Sequence, residues 1–372
     1  MDIIEKIKLF FMLLGNPFVC LYHVVITNPF INIAADDAQG IEKIANFALA
    51  PVHYILDGKK AVPHIEASED GRHIVYHFER EFDYESHFFF KASAAVTALP
   101  FSLAAGLPLK ALSYLFPDTR QKHQLILTSL SSIPFVSNLE SYRSMGIEIG
   151  DFENAEMIDK PKHKRRPESE NHLKEERKTL AAIAAIFNKY KIPFWLDCGT
   201  CLGAYRYGAC IPWDIDYDIA ILHPDFTNVL TALQRELDPE ASVALDFSSR
   251  DKPNTYIRVL VKETGTMIDV YSFEIDPEKR CMSEIFSFEF HTMLTEKFKN
   301  CEKRFTKPIP FDYIFPLKKA LFEGMELPVP NKIVPYLQTF YGENLEPVKI
   351  YNEQTRDYEK DLSHPYWKLS GI

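Results

Sequence analysis

The chain has 372 residues, 46% of them hydrophobic, which is enough for two domains or for one large domain with an appendage. A formal charge of −10 argues against a protein that grips long nucleic acid, which presents a basic face, and so weighs against a polymerase. Six cysteines (Cys20, Cys198, Cys201, Cys210, Cys281 and Cys301) follow no framework spacing and point to a reducing compartment.

Residues 9–35 carry no charge, a length that allows a membrane span. Asn16, Pro17, His23, Asn28, Pro29 and Asn32 interrupt the run, while Asp2 and Glu5 spoil the basic start of a signal peptide. An interfacial or re-entrant membrane anchor and buried helices of a soluble domain stand as equal readings, with a true span or signal as a third. Alternation from His73 to Phe82, after the turn Glu69-Asp70-Gly71, predicts a strand. His53, His64, His73, His77 and His87 have no metal-ligand spacing and are assigned structural roles.

A second apolar stretch runs from Ala92 to Leu109 and on to Phe116. Pro100, Gly106 and Pro108 are expected to kink it into a hairpin that dips into a bilayer or packs inside a helical domain. The two stretches together predict peripheral membrane contact through 9–35 and 92–116, with the protein in the cytoplasm or on the cytoplasmic face of a membrane.

From Asp159 to Lys178 nearly every residue is charged or polar. This predicts an N-terminal, mainly helical and apolar region over 1–158, a linker over 159–170 and a second domain over 171–372. The basic run Lys160–Arg166 reads as a solvated linker, with contact to anionic lipid or a phosphorylated acceptor as the alternative. Leu173, Leu180, Ile183, Ala184 and Phe187 recur at helical spacing after Pro167, before Pro193 stops the run.

The stretch 194–222, FWLDCGTCLGAYRYGACIPWDIDYDIAIL, is the most informative in the chain. Asp214, Asp216 and Asp218 alternate, which predicts a strand with all three carboxylates on one face. Such a face needs positive charge, and aspartate oxygens suit a hard cation, Mg²⁺ or Mn²⁺, better than zinc; a solvated acidic strand edge is the alternative. Upstream, the small-residue turn Cys198-Gly199-Thr200 and Arg206 are candidates to hold phosphate oxygens. Cys198 and Cys201 form a lone CxxC, read as packing rather than zinc or redox chemistry.

Downstream, 226–237 reads as an amphipathic helix, and Tyr256–Val261 and Met267–Phe273 as strands joined near Thr264-Gly265. Asp269 lies within an apolar strand, where an isolated charge is costly and a partner is required. A plain salt bridge to Arg258 is one candidate.

The stretch resembles the signature of the LicD/fukutin family, W-L-x-x-G-[ST]-x-L-G-x-x-R-x-x-x-x-I-P-W-D-x-D-x-D. Trp195, Leu196, Gly199, Thr200, Leu202, Gly203, Arg206, Ile211, Pro212, Trp213, Asp214, Asp216 and Asp218 fill it without a gap. Cys198 and Cys201 stand where glycine and leucine are more usual. A segment from Phe315 to Pro330 and a closing Leu337–Gly342 extend the resemblance to about residues 171–350.

The resemblance implies an α+β fold with a polymerase β-like nucleotidyltransferase core, a mixed sheet flanked by helices. It also implies a Mg-dependent transferase that moves a phospho-alcohol from a CDP-linked donor to a hydroxyl of a glycan or similar acceptor. The cargo is phosphocholine in bacterial members and ribitol phosphate in the fukutin branch. Carried over, Asp214, Asp216, Asp218 and Asp269 are the catalytic set, with Asp216, Asp218 and Asp269 holding the metal. Asp269 and Asp214 both remain candidates for the base. Gly199 and Thr200 approach the donor phosphates, Arg206 clamps one of them, and Asp197 binds a donor hydroxyl. A choline cargo would need an aromatic cage, for which Tyr205, Tyr207, Tyr217 and Tyr271 are candidates. Two alternatives are a nucleotidyltransferase that passes NMP to a small acceptor and a membrane-associated, non-catalytic binding protein.

Overall fold

A computed structural model of the chain describes residues 29–368 apart from 57, 69–70, 83–86, 133–134, 151–152, 156–166, 215, 249–251, 253 and 288–295. Most of the first apolar stretch and of the expected linker therefore lies outside the described residues. The chain divides into two compact units, Met1–Pro134 and Phe135–Ile372.

The first unit contains β1 (Ile33–Ala35), α1 (Gly40–Ile55), the hairpin β2 (Lys59–Ser68) and β3 (Gly71–Arg80), then α2 (Phe88–Ser113) and α3 (Pro117–Ser132). β1 pairs parallel with β2, and β2 pairs antiparallel with β3 from Lys59↔Arg80 to Ser68↔Gly71. The alternation seen in the sequence from His73 is thus the strand it predicted.

The expected kinked hairpin over 92–116 is not found, because α2 is one helix that contains both Pro100 and Pro108. Each proline removes one amide from the ladder, and packing against α1 keeps the run together. Ser102 Oγ donates to the Ala48 carbonyl at 2.6 Å, Lys110 Nζ donates to Asn46 Oδ1 at 2.8 Å, and a Cβ on Gly106 would lie 2.6 Å from Leu49. Gly106 is a contact point rather than a break.

In the second unit, α4 (Leu139–Ser144) and β4 (Glu153–Asn154) precede the long helix α5 (Pro167–Tyr190). The division at 134/135 falls ahead of the charged stretch that was expected to mark it. Tyr142 and Ile147 are buried in the same core as α5, and β4 pairs parallel with Lys318 and Lys319. α5 starts at Pro167 as the sequence implies, and Leu173, Glu176, Leu180, Ile183 and Phe187 form its buried stripe.

A seven-stranded mixed sheet follows. Its strands are β5 (Phe194–Leu196), β6 (Tyr217–Leu222), β7 (Ser242–Asp246), β8 (Tyr256–Val261), β9 (Thr266–Asp276), β10 (Cys281–Glu284) and β11 (Ile309–Pro310), with α6 (Cys198–Tyr207) and α7 (Phe226–Glu236) between them. β9 is the spine: it runs parallel to β6 and antiparallel to both β8 and β10. β6 is almost wholly buried, which suits its apolar run of Ile219, Ala220, Ile221 and Leu222. Further elements include α8 (Glu296–Glu302), the hairpin β12 (Lys318–Phe322) and β13 (Met325–Val329), α9 (Ile333–Tyr341), and the hairpin β14 (Lys349–Asn352) and β15 (Asp357–Lys360). Gly342 closes α9 as its C-cap, at φ 84°.

Candidate active site

The register of the two central strands sets the site. β6 and β9 run parallel with Asp218 opposite Asp269, and β8 places Arg258 opposite Asp269 on its other side. Arg258 Nε lies 3.0 Å from Asp269 Oδ1 and donates to the Tyr256 hydroxyl at 2.6 Å. Of the two partners proposed for Asp269, the arginine is present, and the carboxylate still faces Asp218.

The three aspartates of the motif do not share a strand. β6 begins at Tyr217, so only Asp218 belongs to it. Asp214 sits in the turn made by Pro212-Trp213, where its N–H donates to the Ile211 carbonyl at 3.0 Å, and Asp216 lies between that turn and the strand. A proline-led turn takes the ladder position that the alternation suggested. The carboxylates nonetheless converge: Asp214, Asp216, Asp218 and Asp269 all line one cavity of 520 Å³.

Cys198-Gly199-Thr200 is the first turn of α6, not a free loop. Asp197 caps that helix, its Oδ1 accepting the Cys198 N–H at 2.7 Å. A Cβ on Gly199 would lie 3.0 Å from Asp214 Oδ2 and 3.8 Å from Asp218 Oδ2, so glycine lets the positive end of the helix approach the carboxylates. Thr200 is buried, and its Oγ1 accepts the Asp218 N–H at 2.7 Å. It tethers the start of β6 and does not line the cavity.

Two expected ligand contacts are redirected by packing. Arg206 is 1% exposed, with Nε and Nη2 donating to the carbonyls of Leu345 and Glu346 at 2.6 and 2.7 Å. It braces the segment after α9, although its side chain also borders the cavity. Asp197 is fully buried and accepts the Tyr336 hydroxyl at 2.5 Å, while Tyr336 itself accepts from Trp195 Nε1 at 3.1 Å. The second oxygen of Asp197, Oδ2, is buried and has no hydrogen-bond partner among the described residues.

Of the four tyrosines considered for a cage, only Tyr271 borders the cavity, and Tyr217 packs edge-on against Phe322 inside the core. Trp213, Phe298, Phe305, Tyr341 and Tyr366 supply the other aromatic walls.

The electrostatics follow from burying acids together. Burial, reinforced by Asp216, pushes the Asp214 carboxyl up to about 7, with Lys349 and Arg206 pulling the other way. Asp218 is raised well above the carboxylate range by burial, then by Asp216 and Asp269. Asp269 is raised by burial and partly restored by Arg258. Such a set favours a bound cation. A second convergence lies alongside: Asp197, Cys198 and Glu284, all buried, bring one ligand atom each within 4.8 Å of the others.

Among the cavity residues that the sequence did not single out are Glu302, Arg304 and Tyr366. None sits in a motif; α8, the turn that follows it and the C-terminal segment deliver them from outside the signature. Only a three-dimensional arrangement signals them.

An acid-lined cavity thus lies over a mixed sheet, with a helix N-terminus aimed at the carboxylates. Residues 191–332 match the LicD/FKTN/FKRP nucleotidyltransferase domain. The matched domain is that of the LicD/fukutin family. The chain is similar to ribitol-5-phosphate transferase FKTN of Homo sapiens, 26% identical over 189 residues, which are 48% of this chain and 35% of that protein. It is also similar to ribitol 5-phosphate transferase FKRP of Homo sapiens, 23% identical over 166 residues (45% and 31%). A third relative is the uncharacterized protein RP689 of Rickettsia prowazekii, 26% identical over 161 residues (42% and 50%). The chain thus spans about a third of the length of the transferases it matches, 35% for the first.

Proposed function

We propose that the second unit is a transferase that moves a phospho-alcohol from a CDP-linked donor to a hydroxyl of a glycan or similar acceptor. Ribitol phosphate, the group in the relatives' names, is the first cargo to test and phosphocholine the second. The observation that carries the reading is the convergence of Asp214, Asp216, Asp218 and Asp269 on one cavity within the family domain. It also favours a polymerase β-like core, in which carboxylates from neighbouring strands serve one site.

The donor set fits Mg²⁺ or Mn²⁺: all-oxygen, acidic, and held by two adjacent strands and the turn that leads into one of them. A divalent ion bound by Asp216, Asp218 and Asp269 would neutralise charge on the transferring phosphoryl group. Asp214, raised to about 7, is suited to take the proton of the acceptor hydroxyl near neutral pH. Arg258 orients Asp269 and offsets part of the rise that burial imposes on its carboxyl.

The first unit is proposed to meet a membrane surface, on the cytoplasmic side. α2 is long and apolar enough to cross a bilayer, and only 17% of its apolar window is buried. Phe89, Phe90, Val96 and Phe101 are exposed on it.

The test is incubation of the full chain with Mg²⁺ and CDP-ribitol, CDP-choline or CDP-glycerol, following CMP. Metal-dependent CMP release that Asp216→Asn abolishes supports the reading. Transfer of CMP itself onto a product makes the protein a nucleotidyltransferase. No metal-dependent effect of any nucleotide on melting or turnover overturns both.

A further inference from the structure

Three arginines border the cavity, Arg206, Arg258 and Arg304. Two have structural partners: Arg206 holds the carbonyls of Leu345 and Glu346, and Arg258 holds Asp269 and the Tyr256 hydroxyl. Arg304 differs. Its Nε and Nη1 are buried and have no hydrogen-bond partner among the described residues. Buried guanidinium donors left unmatched are costly, so such a pair persists where a ligand completes it.

The side chain is held in place from outside. Arg304 lies in the short 3₁₀ turn Lys303–Thr306 that follows α8. Its guanidinium carbon is 4.6 Å from the Phe305 ring centroid, 5.3 Å from that of Tyr366 and 5.6 Å from that of Tyr341. Tyr341 and Tyr366 are themselves stacked, with centroids 6.2 Å apart at 25°. Rings that fix a guanidinium plane leave its N–H edges to an acceptor, the arrangement that suits phosphate oxygens. Glu302 is close enough to feel the Arg304 charge, yet no ion pair joins them among the described residues.

We propose that Arg304, collared by Phe305, Tyr341 and Tyr366, is the phosphate-binding residue of the cavity and takes the diphosphate of the nucleotide-linked donor. This rests on the transferase reading for the identity of the donor, but the anion site itself does not. A diphosphate is the ligand that satisfies both sides of the cavity. Its oxygens accept from Arg304 and also bind a divalent cation held by the aspartates, whereas an uncharged sugar or base does neither. The role expected of Arg206 passes to Arg304.

The experiment is calorimetric titration of the full chain in Mg²⁺ with CDP, inorganic pyrophosphate and cytidine, for wild type, Arg304→Gln and Arg304→Lys. Arg304→Gln is expected to weaken CDP and pyrophosphate about 30-fold or more and to leave cytidine unchanged. Arg304→Lys keeps the charge but not the fork, and is expected to lose about fivefold for the same two ligands. CDP and pyrophosphate affinities within twofold of wild type in a folded variant overturn the proposal. If the Gln variant does not fold, the Lys variant decides by the same criterion. Arginine-dependent pyrophosphate binding without turnover of any CDP-alcohol would sink the transferase reading and leave the anion site standing. Turnover with unchanged KM in Arg304→Gln would do the reverse.

Discussion

Asp218 and Asp269 face each other across the parallel strands β6 and β9, register partners with no residue between them. Neighbouring strands lie about 4.8 Å apart, so like charges directly opposite repel. Burial and this repulsion raise the Asp218 carboxyl well above its usual range. Asp218→Asn is therefore expected to raise the melting temperature in EDTA, by about 1 kcal/mol of stability, while lowering turnover at least about 100-fold. Differential scanning fluorimetry and a CMP-release assay check the pair of effects. A variant that loses stability as well as activity would make this carboxylate structural.

Arg206 gives the opposite signature. Its two donors serve the backbone carbonyls of Leu345 and Glu346 in a buried setting. Lysine cannot supply both bonds, so Arg206→Lys should cost about 2–3 kcal/mol of stability. Pyrophosphate affinity should change by less than about threefold, since the anion is assigned elsewhere. A large affinity loss at unchanged melting temperature would restore Arg206 as the phosphate clamp.

These two residues show what the sequence could and could not reveal. The signature singled out Asp214, Asp216, Asp218 and Arg206, and the apolar surroundings of Asp269 announced that it needed a partner. Alternation correctly predicted β8, β9 and the helix α7, because each is a regular element with its own period. It failed at Asp214 and Asp216, where Pro212-Trp213 imposes a turn that a period-2 pattern cannot register. It failed again at α2, because proline was read as a break and the lateral support from α1 is a tertiary fact. Arg206 lies in the signature and Arg304 in no motif, yet the sequence names the partners of neither. Only the position of the Leu345 and Glu346 carbonyls distinguishes a brace from a ligand-binding group.

Two glycines of the signature should respond differently to the same methyl. On Gly203 a Cβ would lie 2.6 Å from the Ala209 carbonyl oxygen and 3.1 Å from the Ile211 nitrogen, both backbone atoms. Gly203→Ala is expected to destabilise the fold by about 2–3 kcal/mol. On Gly199 the nearest atom is the Asp214 Oδ2 at 3.0 Å, a side-chain tip that can move. Gly199→Ala should cost under about 1 kcal/mol but lower turnover about tenfold by displacing Asp214. Denaturant melts beside turnover rates separate them; equal stability losses at both positions would refute the contrast.

Glu176 provides a pH test away from the site chemistry. It is fully buried on α5, and burial pushes its carboxyl from 4.5 up to about 7, with the Thr266 hydroxyl offsetting part of the effect. The folded state therefore holds a proton that the unfolded chain has already released between those two values. Stability contributed by the neutral acid is complete below pH 4.5, falls as pH rises through the window, and is level above about 7. A gap of about 2.5 pH units corresponds to roughly 3 kcal/mol at most. Glu176→Gln cannot ionise, so it should match the wild type near pH 4.5 and exceed it at pH 8 by up to that amount. Urea melts of both proteins at the two pH values measure the difference directly, and the other buried acids cancel because both chains carry them. A gap between the two proteins that is the same at both pH values would mean that Glu176 is ionised throughout, held by a partner that its burial conceals.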